Sequence, residues 1–369
     1  MRKALLYIHL WAGLTAAIFL LLLGVSGAAL AFEDEIDRAL NAKLAYVRPQ
    51  SQSMRLDVIT QKLMLRYPGA RIQGFELPQR PDVSMFVGLT DASGKRQALF
   101  VDPYTGEVLG HGEQANQFMA GVHRFHTHLV GGEVGKQVLG WSAILLLALS
   151  ITGIVLWWPA KLFRLHWSGS GRRFNFELHN SLGILSSIFL FSFAWTGVCI
   201  HWERPVQQLA QKISPAPEPR PAAPQIPAPG TRQLSADRLL EIARGSLPGA
   251  AITDLELPRS AKDAAQLALK FPEDHTPIGR SRMRIDGYSG KVLQLQSSRD
   301  LPAAMKYARM WNRELHTGDV LGLPTRILAA FFSLMLPLLA ITGPMIWWNR
   351  RRVGDDKIRD RRIDAVAAV

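Results

Sequence analysis

The sequence is poor in cysteine, because its 369 residues include only one, Cys199. A single thiol excludes an internal disulfide framework and the CxxCH motif that attaches c-type haem. The sequence also lacks a GxGxxG stretch that opens a strand-turn-helix unit. These absences exclude a disulfide-stabilised scaffold and argue against a nucleotide or flavin domain within the chain.

Acidic residues are also fewer than basic residues. Lys and Arg number 43 against 30 for Asp and Glu, which gives a net charge of +13 at pH 7. Much of the excess flanks apolar runs, at Arg2 and Lys3, at 161–173 and at 350–362. This placement follows the positive-inside rule of membrane proteins better than it fits a nucleic-acid-binding stripe. We therefore expect a lipid bilayer as partner and no nucleic acid.

Apolar runs are abundant. Hydrophobic residues make up 48% of the chain, yet the mean hydropathy is only +0.05, so apolar and water-facing segments alternate. A bilayer span needs roughly 20 apolar residues. Four segments meet that requirement, at 4–32, 137–158, 176–201 and 325–348. The second and fourth end in Trp pairs, as expected for an interfacial aromatic belt.

The basic residues also predict an orientation. They lie before the first span, between the second and third, and after the fourth, which places both termini in the cytoplasm. The long connections 33–136 and 202–324 then face the periplasm of a Gram-negative cell. A cleaved signal peptide is the alternative for the first run, because MRK, an apolar stretch and ALA at 29–31 fit that pattern. The same signature recurs in the middle of the chain, which favours a span.

The sequence contains an internal repeat. At an offset of 170 the first span matches the third, and at an offset of 190 the second matches the fourth, including ITG at 151–153 and 341–343. Between the spans, DPYTGEVL at 102–109 matches DGYSGKVL at 286–293. The first offset relates four residues, His9, Gly13, Gly27 and Glu33, to His179, Gly183, Gly197 and Glu203. The pattern predicts two span–module–span halves.

Each connection predicts a small α+β module. An amphipathic helix at 56–67 or 235–246 precedes strands near 71–77, 83–89 and 97–102, or near 252–257, 265–271 and 281–286. A Tyr-x-Gly turn then leads into a last short strand in each module. The fold class is therefore membrane α-helical plus α+β.

The predicted segments are span 1 at 1–32, module 1 at 33–116, a His-bearing surface helix with span 2 at 117–158, a cytoplasmic loop at 159–175, span 3 at 176–202, a Pro-rich periplasmic linker at 203–233, module 2 at 234–303, a second His-bearing helix with span 4 at 304–348, and a cytoplasmic tail at 349–369. Within the linker, the stretch 214–230 has no apolar period and is expected to be extended.

Of ten histidines, only two classes recur at equivalent places: His9 with His179, and His126 with His316. Equivalent positions of a parallel repeat lie at equal depth in the membrane. The first pair is expected near the cytoplasmic leaflet. The second pair precedes Gly-rich breaks, GGEVG and GDVLGLP, and is expected at the outer surface.

Two neutral imidazoles that face each other across helices suit haem iron, which protein side chains hold axially. Gly13 and Gly183, one turn after the first pair, would leave room for a porphyrin face. The alternative is that each histidine hydrogen-bonds a neighbouring helix and binds no cofactor. Zinc is less suited, because Cys, Asp or Glu usually complete its four ligands.

Each of the other candidate residues has alternative roles. His123, His128 and His201 lie near the outer pair and are alternative ligands or substrate-contacting residues. Arg124 and Arg313 would pair with haem propionates or, equally, with lipid phosphates. The remaining histidines, His111, His166 and His275, fit ordinary loop or surface positions.

With H-x3-G openings, ITG…WW closings and a Tyr-x-Gly module between them, the sequence resembles the PepSY-associated transmembrane family, which includes ferric-siderophore reductases of the FoxB type. The resemblance covers nearly the whole chain, apart from the Pro-rich stretch and the tail after about residue 353. It implies a multi-pass protein of the bacterial inner membrane with one or two haem b groups, held by His9, His179, His126 and His316. It further implies an oxidoreductase that reduces ferric iron in periplasmic siderophores for iron acquisition, with quinol or a separate reductase as electron donor.

Two other functions remain open at this point. PepSY-type modules are also regarded as binding or protease-inhibitory units, which would make the chain a membrane-anchored binder without redox chemistry. Repeated spans also build transporters, although four spans are few for a translocation path. The sequence identifies neither the siderophore nor the electron donor nor the oligomeric state.

Overall fold

The computed structural model describes residues 1–129, 131–158, 163, 165–167, 170–215, 222–225, 227–228 and 230–367, of which 352–367 are described by their backbone alone. The helices are, in chain order, α1 (Arg2–Leu30), α2 (Glu33–Leu40), α3 (Ala42–Ala45), α4 (Leu56–Arg66), α5 (Phe118–His128), α6 (Gly132–Trp157), α7 (Gly171–His201), α8 (Glu203–Ile213), α9 (Ala236–Ser246), α10 (Ala303–Lys306), α11 (Asn312–Thr317), α12 (Leu323–Ser333) and α13 (Met335–Ala367). The strands are β1 (Arg71–Glu76), β2 (Met85–Thr90), β3 (Arg96–Val101), β4 (Val108–His111), β5 (Ala251–Glu256), β6 (Ala264–Lys270), β7 (Ser281–Asp286) and β8 (Val292–Gln296).

The chain divides into two compact units. The helical unit comprises Met1–Glu33, Met119–Val206 and Asn312–Val369, and the sheet unit comprises Asp34–Phe118 and Gln207–Trp311. Long apolar runs produce the first and alternating patterns produce the second, so the fold class is membrane α-helical plus α+β, as predicted.

In the described part of the chain, four helices of the helical unit are long and apolar enough to cross a membrane: Arg2–Leu30, Gly132–Trp157, Gly171–His201 and Leu323–Arg351. They confirm the four predicted spans and make the chain a multi-pass membrane protein. Helix α1 packs against α6 and α13, and α7 packs against the same two helices. The four spans thus form a bundle around a core that includes Ala16, Leu20 and Leu146.

The fourth span is interrupted, whereas the sequence predicted it as continuous. Helix α12 ends at Ser333 and α13 begins at Met335, with a turn at Leu334. Pro337 explains the break, because its ring lacks an N–H and clashes with the carbonyl four residues before it, that of Ser333. The Ser333 hydroxyl donates to the Gly24 carbonyl at 3.0 Å, and this hydrogen bond links the interrupted segment to α1. A side chain at Gly24 would meet Pro337 Cδ at 2.5 Å, so only glycine allows this approach.

The sheet unit contains one antiparallel sheet within the described residues, with strand order β4-β3-β2-β1-β5-β6-β7-β8. The sequence predicted two separate modules, whereas β1 pairs directly with β5 and joins them. Gly74 makes that pairing possible, since an added Cβ would lie 2.5 Å from the Leu255 carbonyl oxygen. Helices α4 and α9 cover one face of the sheet, and their buried Leu63 and Leu239 belong to the same core as its strands.

Helices α4 and α9 also stabilise each other. The Asp237 carboxylate accepts hydrogen bonds from the backbone N–H groups of Leu56 and Asp57 at 3.1 and 3.0 Å, at the start of α4. In return, the Asp57 carboxylate accepts from the backbone N–H of Asp237 at 3.3 Å. A carboxylate at a helix N-terminus satisfies donors that have no partner within the helix. Each half of the sheet unit thereby caps the helix of the other.

Helix α8 occupies the first part of the segment assigned to the Pro-rich linker, 203–233, and ends before the stretch 214–230 that was expected to be extended. Helix α8 forms because apolar residues recur with a helical period at Val206, Leu209, Ala210 and Ile213. The Pro-rich composition of the residues that follow led the whole segment to be assigned to the linker. Several positions of predicted segments lie outside the described residues: 159–162, 164, 168 and 169 of the cytoplasmic loop, 216–221, 226 and 229 of the linker, and 368–369 of the tail.

Three carboxylates lie side by side where β1 meets β5. Asp254 lies opposite Glu76 in the sheet, and Glu256 follows two residues later on the same side of the strand. Partial burial and the charges of Glu256 and Glu76 raise the pKa of Asp254 to about 6, against the opposing effect of Arg282. A raised carboxyl pKa means that the folded protein binds this proton more tightly than the unfolded chain does.

We therefore expect the sheet to become less stable as the pH rises from 4 through 6. Asp254→Asn should stabilise it at pH 7 by about 1 kcal/mol, a figure reduced for the solvent exposure of the site. The variant should also flatten the dependence of stability on pH between pH 4 and 6. Hydrogen–deuterium exchange of β5 and β6 amides, corrected for intrinsic rates, measures both effects. Asp300→Asn, an exposed carboxylate outside the sheet, is the control. Equal pH slopes in the wild type and Asp254→Asn would refute the assignment.

Candidate functional site

The helical unit brings the recurring histidines together in two pairs. His9 on α1 faces His179 on α7, and their ring centroids are 6.4 Å apart. His126 on α5 faces His316 on α11, also with a centroid separation of 6.4 Å. All four imidazoles are partly buried.

The two pairs lie at different levels of the bundle. His126 contacts Ser26, which follows His9 by seventeen residues on α1. At 1.5 Å per residue the two positions are about 25 Å apart along the helix. This distance approaches the roughly 30 Å hydrocarbon thickness of a bilayer. One pair therefore lies toward each end of the spans.

The separation within each pair suits a metal ion between the rings. Two metal–nitrogen bonds of about 2.0 Å and two ring radii of about 1.2 Å add up to roughly 6.4 Å between centroids. In the described residues, no group of three or more His, Cys, Asp or Glu side chains is placed to hold a metal ion. An ion that needs only two protein ligands, as the iron of a planar macrocycle does, fits this donor set better than tetrahedral zinc.

A hydroxyl group contacts the Nδ1 atom of every imidazole in the two pairs. His9 Nδ1 lies 2.9 Å from Thr152 Oγ1, and His179 Nδ1 lies 2.8 Å from Thr342 Oγ1. His126 Nδ1 lies 2.8 Å from Ser26 Oγ, and His316 Nδ1 lies 2.9 Å from Thr196 Oγ1. Each hydroxyl is carried by a membrane-spanning helix that does not carry its histidine.

These contacts assign the protonation pattern of the rings. Each hydroxyl donates its one hydrogen to the carbonyl four residues earlier in its own helix, at distances of 2.6–2.8 Å. It therefore accepts a hydrogen bond from the imidazole, which places the proton on Nδ1. The Nε2 atom is left with its lone pair, the form in which histidine binds a metal.

A glycine follows each of the four hydroxyl residues and lies against the ring. Cβ atoms added at Gly153 and Gly343 would lie 3.3 and 3.4 Å from Cε1 of His9 and His179. At Gly27 and Gly197 the corresponding distances to His126 and His316 are 3.2 and 3.6 Å. A Ser/Thr-Gly dipeptide thus holds each imidazole, with the hydroxyl on Nδ1 and the glycine beside Cε1.

Two asparagines reinforce one histidine of each pair. Asn175 and Asn312 are buried and precede His179 and His316 by one helical turn. Asn175 Nδ2 donates to the Thr342 carbonyl at 3.0 Å, and Asn312 Nδ2 donates to the Thr196 carbonyl at 3.4 Å. The threonine that accepts from the imidazole is therefore also bound through its backbone. The corresponding positions before His9 and His126 hold Leu5 and Val122.

The electrostatic surroundings keep the second pair neutral. Burial, together with the positive charge that His316 and His123 would carry, lowers the pKa of His126 to about 3. Burial lowers the pKa of His316 to about 4. Both imidazoles are therefore uncharged at neutral pH, as metal ligation requires.

The other histidines proposed near the second pair have different contacts. His123 Nδ1 lies 3.0 Å from the Glu33 carboxylate, and His201 lies beside Trp202 with Nε2 at 3.4 Å from Gln137 Oε1. His128 Nδ1 contacts the hydroxyl of the adjacent Thr127. These contacts favour local roles, whereas the pair itself consists of His126 and His316.

The remaining predicted residues are less closely tied to the pairs. Arg124 and Arg313 are exposed, which leaves both predicted roles open to them. Gly13 and Gly183 lie next to Leu149 and Leu339, where an added Cβ would make ordinary contacts at 3.6 and 3.9 Å. An added methyl group would therefore fit at both positions, and the room that these glycines would leave for a porphyrin stays a prediction.

One histidine assigned to the surface makes more contacts than expected. His166 Nδ1 lies 2.9 Å from the carboxylate of Glu177, a buried residue of α7, which also accepts from Arg173 Nε at 2.8 Å. The available signal was the i,i+4 spacing of Arg173 and Glu177 on one helix, whereas nothing in the sequence joined His166 to that pair. His111 contacts the Tyr67 hydroxyl at 3.4 Å, and His275 is exposed, as expected.

Sequence reasoning missed the hydroxyl and asparagine partners. It recorded the ITG repeat and the recurrence of Gly27 at Gly197, but it assigned no role to the residue before each glycine. The available signal was that Ser26 and Thr196, and Thr152 and Thr342, recur at the same offsets of 170 and 190 as the histidines.

A bundle of apolar spans that carries two pairs of facing histidines, together with an antiparallel sheet unit, defines the class of protein as a multi-pass membrane protein with a separate sheet domain. Residues 6–350 match the family described as the PepSY-associated TM region, and the chain belongs to that family. A search of the curated proteins finds no match.

The structure predicts that Gly27 and Gly197, which occupy corresponding positions of the sequence repeat, differ in how well they tolerate an added methyl group. An added Cβ at Gly27 would meet Ser333 Oγ at 2.9 Å and His126 Cε1 at 3.2 Å, whereas at Gly197 its nearest neighbours lie at 3.6 Å. Gly27→Ala should lower the free energy of unfolding by about 1–3 kcal/mol through overpacking. Gly197→Ala should leave it unchanged or slightly raised, because alanine is the better helix former. Thermal unfolding in detergent compares them, and equal stability of both variants would count against the close contact at Gly27.

Proposed function

We propose that this protein binds haem b between each pair of histidines, His9 with His179 and His126 with His316, and passes electrons across the membrane. The observation that carries the proposal is the pairing itself. At both levels, two imidazoles face each other at 6.4 Å with Nδ1 engaged by a hydroxyl. When bound there, haem supplies one-electron transfer at a potential set by its ligands and their surroundings. The chain's own residues bind the iron through Nε2, orient the rings and exclude water.

Two sites at opposite ends of the spans suit transmembrane electron transfer. The positions of the pairs, about 25 Å apart along α1, would place one acceptor near each membrane surface. A single haem would lie at one end of the spans and would leave the other membrane surface without a redox site. We therefore favour two haem groups, and their number is a direct outcome of the test below.

The proposed substrate is ferric iron in siderophores, and the proposed localisation is the bacterial inner membrane with cytoplasmic termini. The substrate comes from the family resemblance. Hard oxygen ligands hold Fe3+ more tightly than Fe2+, so reduction would release the iron. The donor would be quinol or a separate reductase, since the sequence lacks a dinucleotide fingerprint. The protein would accordingly be an oxidoreductase that serves iron acquisition.

We further infer that the chain arose by duplication of a span–module–span unit, so that each module is a PepSY-like α+β half of the sheet. Corresponding contacts support this inference. The His9–Thr152 and His179–Thr342 contacts are related by the offsets of 170 and 190, as are the His126–Ser26 and His316–Thr196 contacts. The strand order is also the same when read inward from either edge of the sheet.

The absorbance spectrum of the purified protein tests the proposal. We expect a Soret band that shifts with dithionite and a haem content of about two per chain, one for each pair. His9→Ala and His316→Ala should each remove about half of the haem, because each leaves one pair intact. His275→Ala, which changes an exposed histidine of the sheet unit, is the matched control and should retain all of it.

Other results would contradict the assignment in distinct ways. A colourless protein purified from haem-replete cells would instead favour a non-redox binder or a siderophore transporter component. Full haem content in both pair variants would show that other residues ligate the iron. If haem is present, reduction rates across a panel of ferric chelates then test the proposed siderophore substrate.

A further inference from the structure

The hydroxyl partner of each histidine contacts both the imidazole and carbonyl oxygens of its own helix, of which the one four residues earlier is the nearest. Thr342 Oγ1 donates to the Leu338 carbonyl at 2.7 Å and contacts His179 Nδ1 at 2.8 Å. Ser26, Thr152 and Thr196 make the corresponding pairs of contacts. A hydroxyl has one hydrogen, and the helix carbonyl receives it, so the hydroxyl acts on the imidazole only as an acceptor.

We propose that Ser26, Thr152, Thr196 and Thr342 are positioning residues that hold the imidazoles with the proton on Nδ1 and lower the reduction potential of the haem between them. This inference rests on the proposed function, because it assigns a role to the residues behind the ligands. It adds that a hydroxyl on a neighbouring membrane-spanning helix tunes the reduction potential of each site.

The chemistry follows from the direction of the hydrogen bond. An acceptor at Nδ1–H draws the proton away from the ring and makes Nε2 a stronger electron donor. A stronger donor stabilises ferric iron more than ferrous iron, because the ferric ion carries the higher charge. The potential of a site that has lost such an acceptor should therefore rise.

Two neighbouring serines distinguish this role from ordinary helix packing. Ser150 on α6 donates to the Leu146 carbonyl at 2.9 Å, and Ser186 on α7 donates to the Leu182 carbonyl at 2.6 Å. Both are buried and both make the same backbone hydrogen bond as the threonines. The structure places no imidazole among the hydrogen-bond partners described for either serine, so they provide controls on the same helices.

Redox titration of Thr342→Val tests the inference. Valine keeps the shape of threonine and removes the acceptor, so the potential of the His9–His179 site should rise. Loss of one net hydrogen bond corresponds to about a fivefold change in the ratio of ferric to ferrous haem at a fixed poise. For a one-electron couple this is about 40 mV. Thr342→Ser restores a hydroxyl and should return the potential toward the wild-type value.

Thr196→Val repeats the test at the His126–His316 site, and only the potential of that site should rise. Ser150→Ala and Ser186→Ala remove buried hydroxyls from α6 and α7 and should change neither potential. Haem content, measured as the pyridine haemochrome, is the second readout. Loss of haem from a valine variant that remains monodisperse, with recovery in the serine variant, also supports the positioning role.

Three outcomes would overturn the inference. Unchanged potentials in both valine variants would show that the hydroxyls do not tune the sites. Equal shifts in the valine and control variants would assign the effect to packing. Aggregation of the valine variants with recovery in serine would assign the hydroxyls to folding. In all three cases the wild type still carries haem, so the proposed function survives, whereas a wild type without haem refutes that function as well.

Discussion

The helical unit depends on one interaction, the hydrogen bond between an imidazole N–H and a hydroxyl on a neighbouring helix. Placing a polar ring among apolar spans costs several kcal/mol unless its donor is satisfied. The hydroxyl satisfies it, while its own hydrogen remains bound to its helix. The same contact joins α1 to α6 and α7 to α13, so that it fixes both the packing of the spans and the direction in which Nε2 points. The packing of the helices and the orientation of the imidazoles therefore have a common cause.

The sheet unit is stabilised by other means. Its two halves share a strand pairing at Gly74 and exchange helix caps through Asp57 and Asp237. Without the pairing of β1 with β5, these two strands would be edge strands of two four-stranded sheets. The carboxylates at the junction oppose this joining as the pH rises, because Asp254 is held among like charges. The junction is thus built from close backbone contacts and carries an electrostatic cost.

Much of this arrangement could be predicted from the sequence, because it is written in local patterns. Apolar length identified the spans, and recurrence selected the paired histidines. Alternation identified six of the strands within one or two residues, and the Tyr-x-Gly turns indicated the two short strands that follow them, β4 and β8. Contacts between distant segments were harder to predict. The pairing of β1 with β5 and the partner of each Nδ1 depend on which helix or strand lies beside which, and no local period encodes that. The break at Leu334 was readable from Pro337, but the apolar run concealed it.

The two histidines of each pair are not equivalent, although the repeat relates them. Asn175 and Asn312 tie the threonines that hold His179 and His316, whereas Leu5 and Val122 occupy the matching positions before His9 and His126. An additional buried hydrogen bond contributes on the order of 1 kcal/mol. One histidine in each pair is therefore held on a more firmly bound helix than the other. The difference is consistent across both levels, since the reinforced histidine belongs to the C-terminal half each time. Each level of the bundle thus combines one firmly held imidazole with one that its own helix holds less firmly.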